Sequence, residues 1–223
     1  MCNDWFMGEL DRLCAICGRR RAKRFCIGLN TAICSICCGT EREVSIRCPL
    51  ECSYLHEAHR REAERQDIHP RDFPYQDIKV TETFLQDNEP LLILLASSTA
   101  RSALTGTTVD DDVRQALDAL IRMYRAGQGG IIYDTRPQNP LALTVFRAVE
   151  DALVEVRARL AEEGLHVRDA DVLGILAFLQ RLEIQHNNGR RQGRAFIDFL
   201  RGFFPPVPGQ PDAPEGGSLL IMP

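Results

Sequence analysis

Every cysteine in this chain lies between Cys2 and Cys52, nine in all, and none occurs in the remainder of its 223 residues. A chain that used cysteine as a small apolar filler would scatter it through its cores. A disulfide scaffold needs an oxidising compartment, and the sequence gives no sign of export. Met1-Cys2-Asn3-Asp4 has no basic start, and no apolar stretch follows it. The expectation is a cytoplasmic chain with reduced thiols, where clustered cysteines point to metal.

The spacing sharpens this. Cys14-Ala-Ile-Cys17-Gly18 and Cys34-Ser-Ile-Cys37-Cys38-Gly39 are both Cys-x2-Cys turns followed by glycine. Each turn offers two thiolates with little strain, and two turns complete a tetrahedral zinc site with zinc–sulfur distances near ~2.3 Å. Cys14, Cys17, Cys34 and Cys37 are therefore expected to hold one Zn2+. Cys26, Cys38, Cys48 and Cys52 remain, enough for a second Zn2+ interleaved with the first as a cross-brace. His56 competes with Cys38 for the last position, because Cys52 and His56 share a face if the helix begins early. His56 and His59 otherwise read as solvated helix residues, and Cys2 stands apart from both sets. Four protein ligands per ion leave no open coordination position, so both sites read as structural, and they would supply the folding energy that so short a segment lacks.

The rest of the chain is expected to be helical, giving a mainly α protein: a small N-terminal two-zinc finger and an all-α domain. The expected boundaries are a finger over 1–60, a helical linker over 61–74, a helical domain over 75–204 and a disordered tail over 205–223. The break at His69-Pro70-Arg71-Asp72-Phe73-Pro74 follows from proline's effect on helices. Asn88-Glu89-Pro90 and Asn139-Pro140 read as helix starts, and Asp110, Asp111 and Asp112 favour a helix N-terminus through its dipole. Phe146, Val149, Leu153, Val156 and Leu160 form a packing seam. Asp169 is read as the cap of the next helix, which is apolar on nearly all sides and so central. The last helix carries Phe196, Phe199, Leu200 and Phe203. No membrane span is expected, since the longest apolar run is Leu91 to Ala96, against the ~18 residues a span needs.

Three stretches carry a resemblance: Cys14-Ala-Ile-Cys17-Gly-Arg-Arg-Arg-Ala-Lys-Arg-Phe-Cys26, Ile33-Cys34-x-x-Cys37-Cys38-Gly39-Thr-x-Arg-Glu-Val44 and Cys48-Pro49-x-x-Cys52-x-Tyr54-Leu55. They resemble a group of bacterial zinc-finger proteins that pair a multi-cysteine finger with a C-terminal helical domain. Weaker matches lie in the helical part, at Gly130-Ile-Ile-Tyr133-Asp134-x-Arg136-Pro137, Asp169-Ala-Asp171-Val172-Leu173 and Gly193-Arg194-Ala195-Phe196-x-Asp198-Phe199-Leu200. The double-cysteine arrangement is also similar to cross-brace fingers of the HIT and MYND types, which mainly bind protein partners. This chain lacks their closing histidine–cysteine pair.

For function, the leading expectation is a non-enzymatic adaptor or regulator whose zinc-fixed surface contacts a protein partner. A nucleic-acid-binding regulator is the alternative, using Arg19, Arg20, Arg21, Lys23 and Arg24 on phosphates. Against it, the formal charge is −4, and the basic run offsets the anionic thiolate sites. A second basic stretch, Arg181 with Arg190, Arg191 and Arg194, reads as a polar helix–helix connection. The remaining alternative is an enzyme with a site near Tyr133 to Arg136. No nucleophile, phosphate loop or acid–base cluster supports it, so the chain is expected not to be an enzyme. The terminal Leu219-to-Met222 segment reads either as a short docking peptide or as a free end.

Overall fold

The computed structural model describes residues 13–65, 68–128 and 135–205. Cys2, Tyr133, Asp134 and the tail beyond residue 205, with Leu219 to Met222, fall outside the described residues. The described chain is mainly α, with eight α-helices and one two-stranded sheet. No described helix is long and apolar enough to cross a membrane. Two compact units divide it: Met1–Gln66 with Asn188–Arg194, and Asp67–Asn187 with Ala195–Pro223.

The first unit is built around sulfur. Its buried core is Cys14, Ile33, Cys34, Cys37 and Ile46, with Cys17, Cys26, Cys38 and Cys48 packed against it. β1 (Arg24–Cys26) pairs antiparallel with β2 (Thr31–Ile33), placing Cys26 opposite Thr31. Helix α1 (Ser35–Glu41) follows directly, and α2 (Ser53–Ala63) closes the continuous part of the unit. α2 begins just after Cys52, the early start that puts Cys52 and His56 one turn apart. Its residue His59 is buried, contrary to its reading as a solvated side chain.

Residues 188–194 complete the first unit, although they follow it by more than a hundred positions. Asn188 Oδ1 accepts from Arg190 N–H at 3.1 Å, and Gly193 N–H donates to Arg190 O at 2.9 Å. This tight loop needs glycine at 193, where a Cβ would come within 2.5 Å of Asn188 Oδ1. The stretch that looked like a polar connection is therefore a folded piece of the finger.

The second unit is a helical bundle. Its helices are α3 (Glu82–Asp87), α4 (Glu89–Leu104), α5 (Asp110–Gln128), α6 (Pro140–Glu162), α7 (Asp169–His186) and α8 (Ala195–Phe203). α7 packs on α4, α5 and α8, and α6 packs on α4 and α5. That explains an apolar surface all around α7, with Val172, Ile175, Leu176 and Leu179 buried. On α6 the buried stripe is Ala142, Val145, Phe146, Val149 and Leu153, while Val156 and Leu160 are half-buried. Asn139 caps α6 by accepting from Leu141 N–H at 3.1 Å. Asp169 is the first residue of α7, and Arg168 occupies the cap.

Asp110 does more than its position in α5 suggests. Its buried carboxylate accepts from the backbone N–H groups of Phe196 and Ile197, at 3.0 and 3.1 Å, and so caps α8. The first turn of a helix leaves its N–H groups without intrahelical partners, and Asp110 satisfies two of them. Glu183, also fully buried, takes a two-pronged contact from Arg114 at 2.9 and 3.2 Å, and Asn187 Nδ2 at 2.6 Å. Arg181 donates to the carbonyls of Tyr75 and Ile78, so this part of the second basic stretch serves the fold of its own unit.

Candidate metal centre

The two Cys-x2-Cys turns reach one point by different local routes. In the first, Cys14 N–H donates to Arg20 O at 2.7 Å, and Gly18 N–H donates to Cys14 O at 2.8 Å. Gly18 sits at φ 58°, a left-handed conformation that glycine adopts without a Cβ penalty. The second turn is a helix start. Cys34 is the N-cap of α1 and its sulfur accepts from Cys37 N–H at 3.4 Å. Gly39 therefore lies inside α1, not in a turn that bends around an ion.

The Sγ atoms of Cys14, Cys17, Cys34 and Cys37 all lie within 4.8 Å of one another. Tetrahedral thiolates around zinc stand about 3.8 Å apart, from zinc–sulfur bonds near ~2.3 Å. A small contraction therefore brings all four onto one ion. Cys14, Cys34 and Cys37 are buried and Cys17 is half-buried. None of the eight described cysteines is in a disulfide. This four-cysteine group can hold a metal ion.

Fixed dipoles and burial pull these thiols apart in acidity. The backbone N–H groups of Arg19 and Arg20 point at Cys17 and draw its pKa down to about 6. The N–H of Cys37 at the helix start lowers Cys34. Burial, and hydrogen bonding to its three neighbours, push Cys37 up to about 12. A dication and protons compete for the same sulfurs.

The basic run belongs to this chemistry. The Arg20 guanidinium lies beside Cys34 and Cys17, which raise its pKa. Arg24 Nη1 donates to Cys38 Sγ at 3.4 Å, and its guanidinium stacks 4.3 Å from the centre of the Tyr54 ring. Arg19, Arg21 and Lys23 are exposed.

The remaining four cysteines border one small void. Cys26, Cys38, Cys48 and Cys52 line a cavity of about 20 Å³ together with Ile33, Ile46 and Leu55, and His56 is not among its walls. Burial pushes Cys48 up to about 11, and the charges of Glu43, Cys26 and Cys52 add to the shift. Burial also raises Cys26, with Cys38 and Cys52 contributing.

Beside this cavity sits Glu43, which nothing in its local sequence distinguishes from Glu41 or Glu51. It is fully buried at φ 53°, a left-handed conformation that is costly for a residue with a Cβ. Its carboxylate accepts from His59 Nε2 at 3.0 Å, Asn188 Nδ2 at 2.7 Å and Arg194 N–H at 2.8 Å. Its carbonyl accepts from Gln192 N–H at 2.8 Å. Burial opposes its ionisation, but His59, Asn188 and Arg194 outweigh that, and its pKa is lowered. Arg190 adds bonds to the carbonyls of Gly39 and Arg42 and to Glu62 at 3.3, 2.7 and 3.1 Å. The segment 188–194 is thus bonded to the stretch between α1 and the later cysteines.

Elsewhere, Arg136 is exposed, and the rest of the Tyr133–Arg136 stretch is largely outside the described residues. The site so defined is a four-cysteine group that could hold a metal ion, placed in the first of the two units. No protein-family model, no curated protein and no solved structure matches this chain.

Proposed function

We propose that this chain is a zinc-binding, non-enzymatic adaptor or regulator of the reduced cytoplasm. Structural zinc fixes a surface that contacts another protein. The observation that carries the reading is the closure of the Cys14, Cys17, Cys34 and Cys37 group within 4.8 Å. Four thiolates fill a zinc tetrahedron and leave no position for water or substrate. Among the described residues only this first group closes within 4.8 Å; the second ion is assigned to Cys26, Cys38, Cys48 and Cys52, supported by the one small cavity that all four line. Its walls favour Cys38 over His56 as the fourth ligand. The resemblance to bacterial zinc-finger proteins with a helical domain fits this reading.

Exposed apolar residues support a protein partner. Among the described residues, seven of the eleven exposed large apolar side chains lie in the finger: Leu13, Ile16, Ile27, Leu29, Ile36, Val44 and Tyr54. Single exposed apolar residues are ordinary, but their concentration in the smaller unit supports a protein-contact role for it. Ile16 and Ile36 each precede the second cysteine of a Cys-x2-Cys turn, so closing the metal site fixes where both point. The nucleic-acid alternative loses force, because Arg20 and Arg24 face cysteine sulfurs.

Affinity capture from the native cell, comparing the zinc-loaded chain with Cys14→Ser, tests the reading. One protein should co-purify stoichiometrically with the wild type and be lost with the variant. Equal recovery with Cys14→Ser, or capture of nucleic acid alone, contradicts it.

A further inference from the structure

We infer that a concavity on the finger, between β1 and α2, binds an acidic segment of a protein partner. The inference rests on the adaptor reading and names the chemistry of its contact. The concavity measures about 300 Å³, enough for two or three side chains. One wall is the stripe of α2 and its exit that carries Tyr54, Ala58, Arg61 and Arg65, three or four residues apart around each turn. The opposite wall supplies Arg24 from β1 and Arg42 from the exit of α1.

Charge decides what fits. Four guanidinium groups face two carboxylates, and both carboxylates are engaged. Glu57 pairs with Arg61 at 2.5 Å, and Glu62 pairs with Arg190 at 3.1 Å and accepts from Asn188 at 3.2 Å. Arg42 and Arg65 make no ion pair among the described residues. Arg24 is oriented by its stack on Tyr54 and its bond to Cys38. The surplus is two cations in a half-enclosed space, beside a ring already holding a third. Guanidinium forks match carboxylates in two-pronged geometry. A continuous phosphate backbone suits the concavity less, because Glu57 and Glu62 interrupt the positive surface, whereas an acidic peptide can place separate carboxylates against Arg42 and Arg65. The exposed apolar residues of the same unit give such a peptide's neighbours something to cover.

The test titrates fluorescein-labelled hexaglutamate and a labelled oligothymidylate of similar length into the full-length, zinc-loaded protein, read by anisotropy at several salt concentrations. Hexaglutamate should bind, and more weakly as salt rises. Arg42→Gln combined with Arg65→Gln should weaken it about tenfold, from two screened ion pairs. Arg19→Gln combined with Lys23→Gln, an equal charge change on the exposed loop, should weaken it less than twofold or so. If the double variant loses zinc, Arg65→Gln alone, at the exposed end of α2, should still weaken binding about threefold. Absence of hexaglutamate binding, equal weakening by both double variants, or tighter binding of the oligothymidylate overturns the inference. A captured partner indifferent to Arg42→Gln with Arg65→Gln also overturns this site, while leaving the adaptor reading standing.

Discussion

Replacing Glu43 with alanine should loosen the hold of the finger on residues 188–194 without releasing it, since Arg190 keeps its bonds to Gly39, Arg42 and Glu62. The Glu43 carboxylate is the acceptor for His59 Nε2 at 3.0 Å, Asn188 Nδ2 at 2.7 Å and the Arg194 amide at 2.8 Å. A hydrogen bond to a charged acceptor contributes about 1.5–3 kcal/mol, and a buried donor left without one costs about 1–3 kcal/mol. Asn188 keeps a second acceptor in Glu62 at 3.2 Å, which softens its loss. The net expectation for Glu43→Ala is a destabilisation of about 3–5 kcal/mol. Glu43→Gly should be milder by about 1 kcal/mol, because glycine relieves the left-handed strain at φ 53°. In a helix or strand that order would be reversed. Denaturant unfolding of the zinc-loaded protein gives the energies, and hydrogen exchange at two amides gives the cause. Arg194 N–H bonds to the Glu43 side chain and Gln192 N–H to its carbonyl. Alanine should therefore speed exchange first at Arg194. A loss under about 1 kcal/mol with Arg194 still protected would refute the account of Glu43.

Three further outcomes follow from the same geometry. Asp110→Ala removes the acceptor for Phe196 and Ile197 N–H at the start of α8, and should cost about 2 kcal/mol in thermal unfolding; a loss below about 0.5 kcal/mol contradicts that capping role. Arg114→Met leaves the buried Glu183 carboxylate without its cation, at about 3–5 kcal/mol near neutral pH. Burial already raises the Glu183 pKa despite Arg114, and the variant raises it further. The folded state then holds the proton more tightly, so stability should be greatest below the ordinary glutamate value and fall as pH rises through the window up to the shifted pKa. Denaturant midpoints across pH check this, and a pH-independent loss would contradict it. Chelating the metal should abolish amide protection in the finger while leaving the helical unit's thermal transition in place, as its core contains no cysteine; simultaneous loss of both transitions would argue against independent stability.

Much of this architecture was legible from local signals. Asn139-Pro140 and Glu89-Pro90 start helices because a preset proline φ acts within the first turn; Asn139 adds a side-chain cap, whereas Asn88 makes none and donates back to Phe84 O instead. The four cysteines that close to 4.8 Å announced themselves as two Cys-x2-Cys turns. The features that stayed hidden are long-range or very short. Strands of three residues, Arg24–Cys26 and Thr31–Ile33, are too brief for alternation to show. Glu43 finds Asn188 across 145 positions, and no periodicity links them. Asp110 was readable as a helix-dipole residue but not as the cap of α8, since its targets lie 86 and 87 residues away. The second group of cysteines is an assignment by subtraction from the first; all four border one small cavity, but among the described residues only the first group closes within 4.8 Å.

Metal stoichiometry tests the central claim most directly. Native mass spectrometry of the full chain, purified under reducing conditions without added metal, should show two zinc ions per chain. Cys37→Ser should lower this to one and Cys37→Ser with Cys48→Ser to none. A wild-type chain that carries no zinc, and takes up none at a neutral pH with its thiols reduced, would contradict the account.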